Sequence, residues 1–248
     1  MNPPPAIDLN ADLGEGGSQD EQLIALVSSA NIACGGHAGD AGTMRAAIDA
    51  ALAAGVAIGA HPGYEDRAHF GRKPQNLGPA AVAEQVSRQI ERFAAIASRA
   101  GAEIHHVKPH GALYLQADQD PELAAAIAGA AARIVPGCEF YVPPGGALAR
   151  AGQAAGLIIR PEGFADRRYL PDGRLVPRSQ PGAVIEDLET AVAQALRIAC
   201  KHQVTTTDGG DFPLPAETLC VHGDGHEAVE LLRALRQALE AAGFTIRA

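Results

Sequence analysis

The 248 residues carry 29 acidic against 20 basic side chains, 47% hydrophobic residues and no extended low-complexity run. A net charge of -9 leaves no basic face on which a phosphate backbone would release counterions, so nucleic acid is excluded as an expected partner. A chain of this length buries roughly three quarters of its unfolded surface around one core, so one domain spanning residues 1–248 is expected.

The first expected strand, Ala6–Asp12, alternates strictly, with Asp8, Asn10 and Asp12 on one side and Ile7, Leu9 and Ala11 on the other. If the apolar side meets helices, the polar side faces a lumen. Asp8 and Asp12 then stand about 13 Å apart along the strand, too far for one carboxylate dyad, and only Asp12 reaches the mouth. Leu13-Gly14-Glu15-Gly16-Gly17 follows as a tight turn. The second strand, Ser29–Cys34, runs into Gly35-Gly36-His37-Ala38-Gly39-Asp40, where glycines let a ligand approach the backbone beside His37. Asp40 is expected to cap the helix whose buried stripe is Met44, Ile48 and Leu52, and Cys34 to be a small buried hydrophobe. A third strand, Val56–Ala60, delivers His61 directly before Pro62. After the helix of Val82, Val86, Ile90, Phe93 and Ala97, the strand Ala102–Lys108 places His106 and Lys108 on one parity, with His110 beyond Pro109.

Glu139–Val142 and Leu157–Arg160 are the fifth and sixth strands. The stretch from Glu162 to Tyr169 concentrates charge in a loop, in which Arg167 is suited to clamp a carboxylate bidentately. A helix with the stripe Val184, Leu188, Val192, Ala195 and Ala199 leads to the loop Val204–Pro215, expected on the bottom face. The last strand, Thr218–His222, turns Cys220, His222 and Asp224 inward, while His202 and His226 have the character of surface residues. A final helix carries Val229, Leu232, Leu235 and Leu239.

Seven βα units in succession make a parallel sheet that either stays open or closes into a barrel; chemistry at nearly every strand end favours closure. The two long connections, His61–Gly78 and Pro161–Gly182, are candidate lids. The opening Met1-Asn2-Pro3-Pro4-Pro5 has neither the cationic nor the apolar region of a leader, no apolar run reaches the roughly 18 residues of a membrane span, and Cys34, Cys138, Cys200 and Cys220 form no C-x-x-C pair. A cytoplasmic protein with reduced thiols and no membrane contact is expected. Phosphate-loop, dinucleotide, H-E-x-x-H and G-x-S-x-G motifs are all absent. Imidazoles and carboxylates around one mouth have the chemistry for a divalent ion, but no residue is assigned as a ligand from their spacing.

Taken in order, Asp8 to Glu15, Ser29 to Asp40, Gly59 to Gly63, Val107 to Tyr114, Phe164 to Tyr169, Leu175 to Arg178 and Cys220 to Asp224 resemble the lactam-utilisation family, whose members serve as the A component of 5-oxoprolinase. The likeness runs unbroken from Asp8 to about Ala228, departing from the family pattern at Ala11, Gly36, Lys73, Leu115 and Gly225, none of them a proposed acid or base. It implies a seven-stranded (β/α) barrel of the glycoside hydrolase/deacetylase type. It also implies ATP-dependent opening of 5-oxo-L-proline to L-glutamate, with ATP and Mg as co-substrate and with 5-oxoprolinase subunits B and C as partners. In such chemistry Asp12 or His61 would be the base for water, His110 and His37 the proton donors, and Lys108 the oxyanion or phosphate partner. Arg167 would hold the substrate carboxylate, with Asn10, Glu15, His222 and Asp224 completing the binding set. Two other functions fit the same residues: a metal-dependent deacetylase or amidase with Asp12, His61 and His110 as ligands, and a non-catalytic lactam-binding subunit.

Overall fold

In the computed structural model, which describes residues 4–222 and 227–248, strands and helices alternate from the first element onward. Asp224 and His226 lie outside the described residues. The elements are β1 (Ala6–Leu13), α1 (Asp20–Ile24), β2 (Ser29–Ala33), α2 (Ala41–Ala54), β3 (Ala57–His61), α3 (Pro79–Ala100) and β4 (His106–Val107). They continue through α4 (Gly111–Ala117), α5 (Pro121–Ile134), β5 (Glu139–Val142), α6 (Ala147–Ala154), β6 (Ile158–Phe164) and α7 (Leu188–Lys201). The chain ends with β7 (Gln203–Thr205), β8 (Asp211–Pro213), β9 (Thr218–Val221), α8 (Ala228–Ala241) and β10 (Thr245–Ile246).

Every strand pairing in the main sheet is parallel, in the order β1-β2-β3-β4-β5-β6-β9, and β9 returns to β1 through Asp8↔Thr218 to Ala11↔Val221. Seven strands therefore close into a barrel, which leaves no strand edge open within that ring. The short β10 pairs beside the start of β1, through Ala6↔Thr245. Helices cover the outside with their apolar stripes: Val82, Val86, Ile90 and Phe93 of α3 and Leu232, Leu235 and Leu239 of α8 are buried. Asp40 caps α2 as its residue type predicts, accepting from the backbone of Gly42 and Thr43 in a full capping box. Leu9, Ala11 and Leu13 face this helical layer, which leaves the other parity of β1 to the lumen.

Three boundaries differ from expectation for local reasons. The strand placed at Ala102–Lys108 is reduced to His106–Val107, because Ala102 still donates its amide to Ala97 at the end of α3 and Pro109 cuts the ladder. The strand expected to stop at Arg160 runs on to Phe164, since Glu162, Gly163 and Phe164 find partners on β9 at Thr218, Leu219 and Cys220. The stretch Val204–Pro215 is not a bottom-face loop but an antiparallel hairpin of β7 and β8. Its turn is stitched to the connection after β6: Thr207 donates its amide to the Tyr169 carbonyl, and Phe212 packs on Gly173.

The connection from residue 165 to residue 187 is itself anchored. Tyr169 Oη accepts from the Phe164 amide at 2.8 Å, and the Gln194 amide on α7 donates to the carbonyls of Phe164, Ala165 and Arg167. No helix among the described residues is long and apolar enough to cross a membrane.

Candidate active site at the mouth of the barrel

The lumen fills from the bottom upward with hydrogen-bonded polar side chains, as burial demands. At the base, Asp8 accepts from Ser28, Ser29 and Thr218. Above it the Asn10 carboxamide is fully used: its nitrogen donates to Glu162 and Thr218, and its oxygen accepts from Asn31 and Lys108. Asn10, expected in the substrate-binding set, is placed beneath the site as a tie whose carboxamide is committed to protein partners. His106, on the same layer, bonds Asn31 at 2.7 Å and stacks on Tyr141 at 4.0 Å between ring centroids. Its ring occupies the space above Gly59, where any side chain would collide with it.

Lys108 is the hub of the next layer. Its ammonium lies 3.1 Å from Asp12 Oδ1, 2.9 Å from Glu162 Oε1 and 3.0 Å from Cys220 Sγ. Burial opposes the charge, but Asp12, with Cys220 and Glu162 alongside, outweighs it and raises the Lys108 pKa well above the usual value. The same balance acts on Asp12: burial pushes its carboxyl up, while His61 and Lys108 prevail and hold it well below the usual range. Lys108 is thus a fixed cation, not a lysine poised to lose its proton. Glu162, expected in a charged loop, is a buried residue of β6.

Three histidines and Glu15 form the adjoining corner. His61 Nδ1 donates to the Lys108 carbonyl at 2.8 Å, and His110 Nε2 donates to the Phe70 carbonyl at 2.9 Å. His61 Nε2 and His110 Nδ1 face each other at 2.9 Å, and His61 Nε2 lies 3.4 Å from Asp12 Oδ2. His37 stacks flat on His110, with centroids 3.6 Å apart, and reaches Glu15 at 3.0 Å. That stack depends on Gly71, which has φ +62 and lies so close that a Cβ there would be 2.7 Å from His37 Cβ. Burial lowers the His37 pKa to about 2 and, with His37 and His61 beside it, lowers that of His110 well below the usual value. Both shifts disfavour the imidazolium form of these two rings, which were expected as proton donors. Cys34, as expected, is a buried thiol pushed up to about 12 by desolvation.

Across the mouth, Asp166 holds His222 in a two-point grip, accepting from its backbone amide at 3.1 Å and from Nδ1 at 2.9 Å. The His222 ring also lies against Phe164. Burial raises the Asp166 carboxyl, but His222 outweighs it and lowers the pKa below the usual value. Arg167 is buried and directs Nη2 to the Val176 carbonyl at 2.7 Å, so part of the guanidinium braces its own loop. Asp12, His61, Lys108, His110, Arg167 and His222 nevertheless share the lining of one cavity of about 700 Å³, together with Arg72, Tyr114 and Arg178. Asp8, Asn10 and Glu162 lie below that cavity, and Glu15 and His37 stand behind its His61–His110 wall. The arrangement supplies an ionised carboxylate, a fixed cation, an oriented imidazole and guanidinium groups around a space sized for a small molecule.

The model for the LamB/YcsF family matches residues 7–248. The chain belongs to the LamB/YcsF family. It is 50% identical over 247 residues to a protein of Methylococcus capsulatus (strain ATCC 33009 / NCIMB 11132 / Bath) named as the A component of 5-oxoprolinase, covering 98% of this chain and 95% of that one. The lactam utilization protein of Thermus thermophilus superposes with a TM-score of 0.91 at 44% identity, over 98% of this chain and 99% of that one. A family 4 carbohydrate esterase from Streptomyces lividans matches with a TM-score of 0.53 at 13% identity over 98% of this chain and 91% of that one, a likeness of fold alone. The expected barrel type is thereby shown.

Within this LamB/YcsF barrel the strand-end residues Asp12, His61, Lys108, His110 and His222 converge, whereas Asp224 is outside the described residues. Asp166, Arg72 and Arg178 were not singled out in the sequence. They follow strand ends in irregular connections, where alternation no longer tells inside from outside. His106 and Asn31 share parity with Lys108 and the end of β2 respectively, a signal that places them in the lumen.

Proposed function

We propose that this chain is the A component of an ATP-dependent 5-oxoprolinase. It would cleave 5-oxo-L-proline to L-glutamate, coupled to hydrolysis of ATP to ADP and phosphate, together with subunits B and C. The observation that carries the proposal is the 50% identity over 98% of the chain to a relative bearing that name. The cavity at the barrel mouth supports it, because the groups that line it match what lactam opening requires.

A five-membered lactam is a resonance-stabilised amide, and phosphorylation of its oxygen by ATP activates the ring carbon. Water then adds to that carbon and the ring C–N bond breaks as the nitrogen gains a proton. A second water releases phosphate and leaves L-glutamate. Asp12, ionised and at the lumen mouth, accepts the proton of the attacking water. Lys108, held beside it, neutralises the oxyanion or phosphate without having to reorganise. His222, oriented by Asp166, is the group placed to hand a proton to the leaving nitrogen. Arg167, with Arg178 on the same wall, receives the substrate carboxylate.

The test is reconstitution of this chain with candidate subunits B and C, measuring ATP consumption and glutamate separately while each component is omitted in turn. Glutamate that requires both ATP and this chain supports the proposal. Glutamate from the partners alone would make this a lactam-binding subunit, and chelator-sensitive amide cleavage by this chain without nucleotide would make it a metal-dependent amidase.

A further inference from the structure

Behind the His61–His110 wall of the cavity, four atoms of ligand type converge from different parts of the chain: Glu15 Oε1, His37 Nε2, His61 Nε2 and His110 Nδ1, all within 4.8 Å of one another. Lys108 and Phe70 offer carbonyl oxygens, which only accept, so His61 Nδ1 and His110 Nε2 must each carry a hydrogen. If both rings are neutral, their remaining nitrogens aim lone pairs at each other across 2.9 Å. Such a contact calls for a positive species between them. A shared proton would settle the His61–His110 contact, with His37 and Glu15 already paired with each other at 3.0 Å; a metal ion would take all four atoms as ligands.

The spacing suits an ion. Bonds of about 2.0–2.1 Å in a tetrahedron set neighbouring ligand atoms about 3.3 Å apart. The separations here are 2.9 Å for His61–His110, 3.0 Å for His37–Glu15, 3.4 Å for His110–Glu15 and 3.9 Å for His61–Glu15. Two of the imidazoles are already fixed by backbone carbonyls on their far nitrogens, the outer support that orients histidine ligands. Three imidazoles and one carboxylate favour Zn²⁺ or a neighbouring first-row ion over Mg²⁺ or Ca²⁺, which prefer oxygen throughout.

We propose that Glu15, His37, His61 and His110 form a binding site for one first-row divalent transition-metal ion against the wall of the cavity. The set differs from the ligands considered on sequence grounds by replacing Asp12, which pairs with Lys108, with Glu15 and His37. The site rests on the geometry of this corner and is independent of which amide the cavity opens.

The experiment uses full-length chain stripped with chelator, titrated with Zn²⁺ by calorimetry and with Co²⁺ by visible absorption. Cys200→Ser is the background throughout, to remove the exposed thiol as a stray ligand. One ion per chain is expected, with the visible bands of a four-coordinate Co²⁺ site. Glu15→Gln should weaken affinity by at least about tenfold and His61→Ala by at least about a hundredfold, with His110→Asn as a second variant and circular dichroism confirming that each remains folded. The proposal is overturned if folded chain binds neither ion stoichiometrically, or if binding is unchanged in both His61→Ala and His110→Asn. Glutamate formation plays no part in this measurement, so its result stands apart from that of the reconstitution.

Discussion

Lys108 is held between Asp12 and Glu162 with almost no access to solvent, so its removal has two separable consequences. Lys108→Met leaves two buried carboxylates facing each other and should cost about 3–5 kcal/mol in denaturant unfolding. In variant protein kept folded at low temperature, coupled glutamate formation should fall at least about a hundredfold. A variant with unaltered stability would show that the pairs seen around Lys108 are not made in solution. Asp166→Asn probes the grip on His222. If Asp166 positions that imidazole, the substitution should lower kcat by at least about tenfold, shift the pH profile of kcat and leave KM for the lactam nearly unchanged. An unmoved pH profile would reduce Asp166 to a packing residue. Asp12, His61 and Lys108 were legible in the sequence because strand parity and strand ends announce them. Glu162 was misplaced because Pro161 reads as a stop, and Asp166 was hidden because it follows the last paired residue of β6.

At the scale of elements, the connection after β6 carries both Arg167 and the partner of His222, so its anchoring matters more than its length. Tyr169 supplies one anchor by accepting the Phe164 amide within a buried setting. Tyr169→Phe removes that acceptor and should cost about 1–3 kcal/mol, read as a lower Tm, because the amide is left unsatisfied away from water. A Tm within error of the parent would mean that the β7–β8 hairpin holds this connection without Tyr169. Helices were legible from their apolar stripes and caps, as Asp40 and the α3 stripe show. The hairpin was not: Thr205-Thr206-Thr207 and Gly209-Gly210 read as a loop, and its partner in space lies more than thirty residues away in sequence, at Tyr169 and Gly173.

For the whole molecule, closure of seven parallel strands turns scattered polar positions into one lumen that is packed with hydrogen bonds at its base and opens into a cavity lined by ionisable groups at its mouth. The count of seven units and the inward side of β1 could be read from alternation alone. Closure itself depends on the β9–β1 register, which no local pattern encodes. Asp8 at the base gives the molecule a pH signature. Burial raises its folded pKa above the ordinary 3.8 against the opposing hydrogen bonds of Ser28, Thr218 and Ser29, so the native state keeps this proton to higher pH than the unfolded chain. The contribution of Asp8 to stability is therefore greatest below 3.8 and declines as pH rises through the raised folded value. Asp8→Asn lacks this slope, so the variant should gain stability relative to the parent as pH rises above 3.8 in denaturant unfolding; a difference constant with pH would contradict the assignment. The central claim, that the barrel mouth is where the lactam ring is opened, is tested most directly by glutamate turnover of folded Asp12→Ala in the reconstituted complex. A fall of at least about a hundredfold is predicted; near-normal turnover would contradict it.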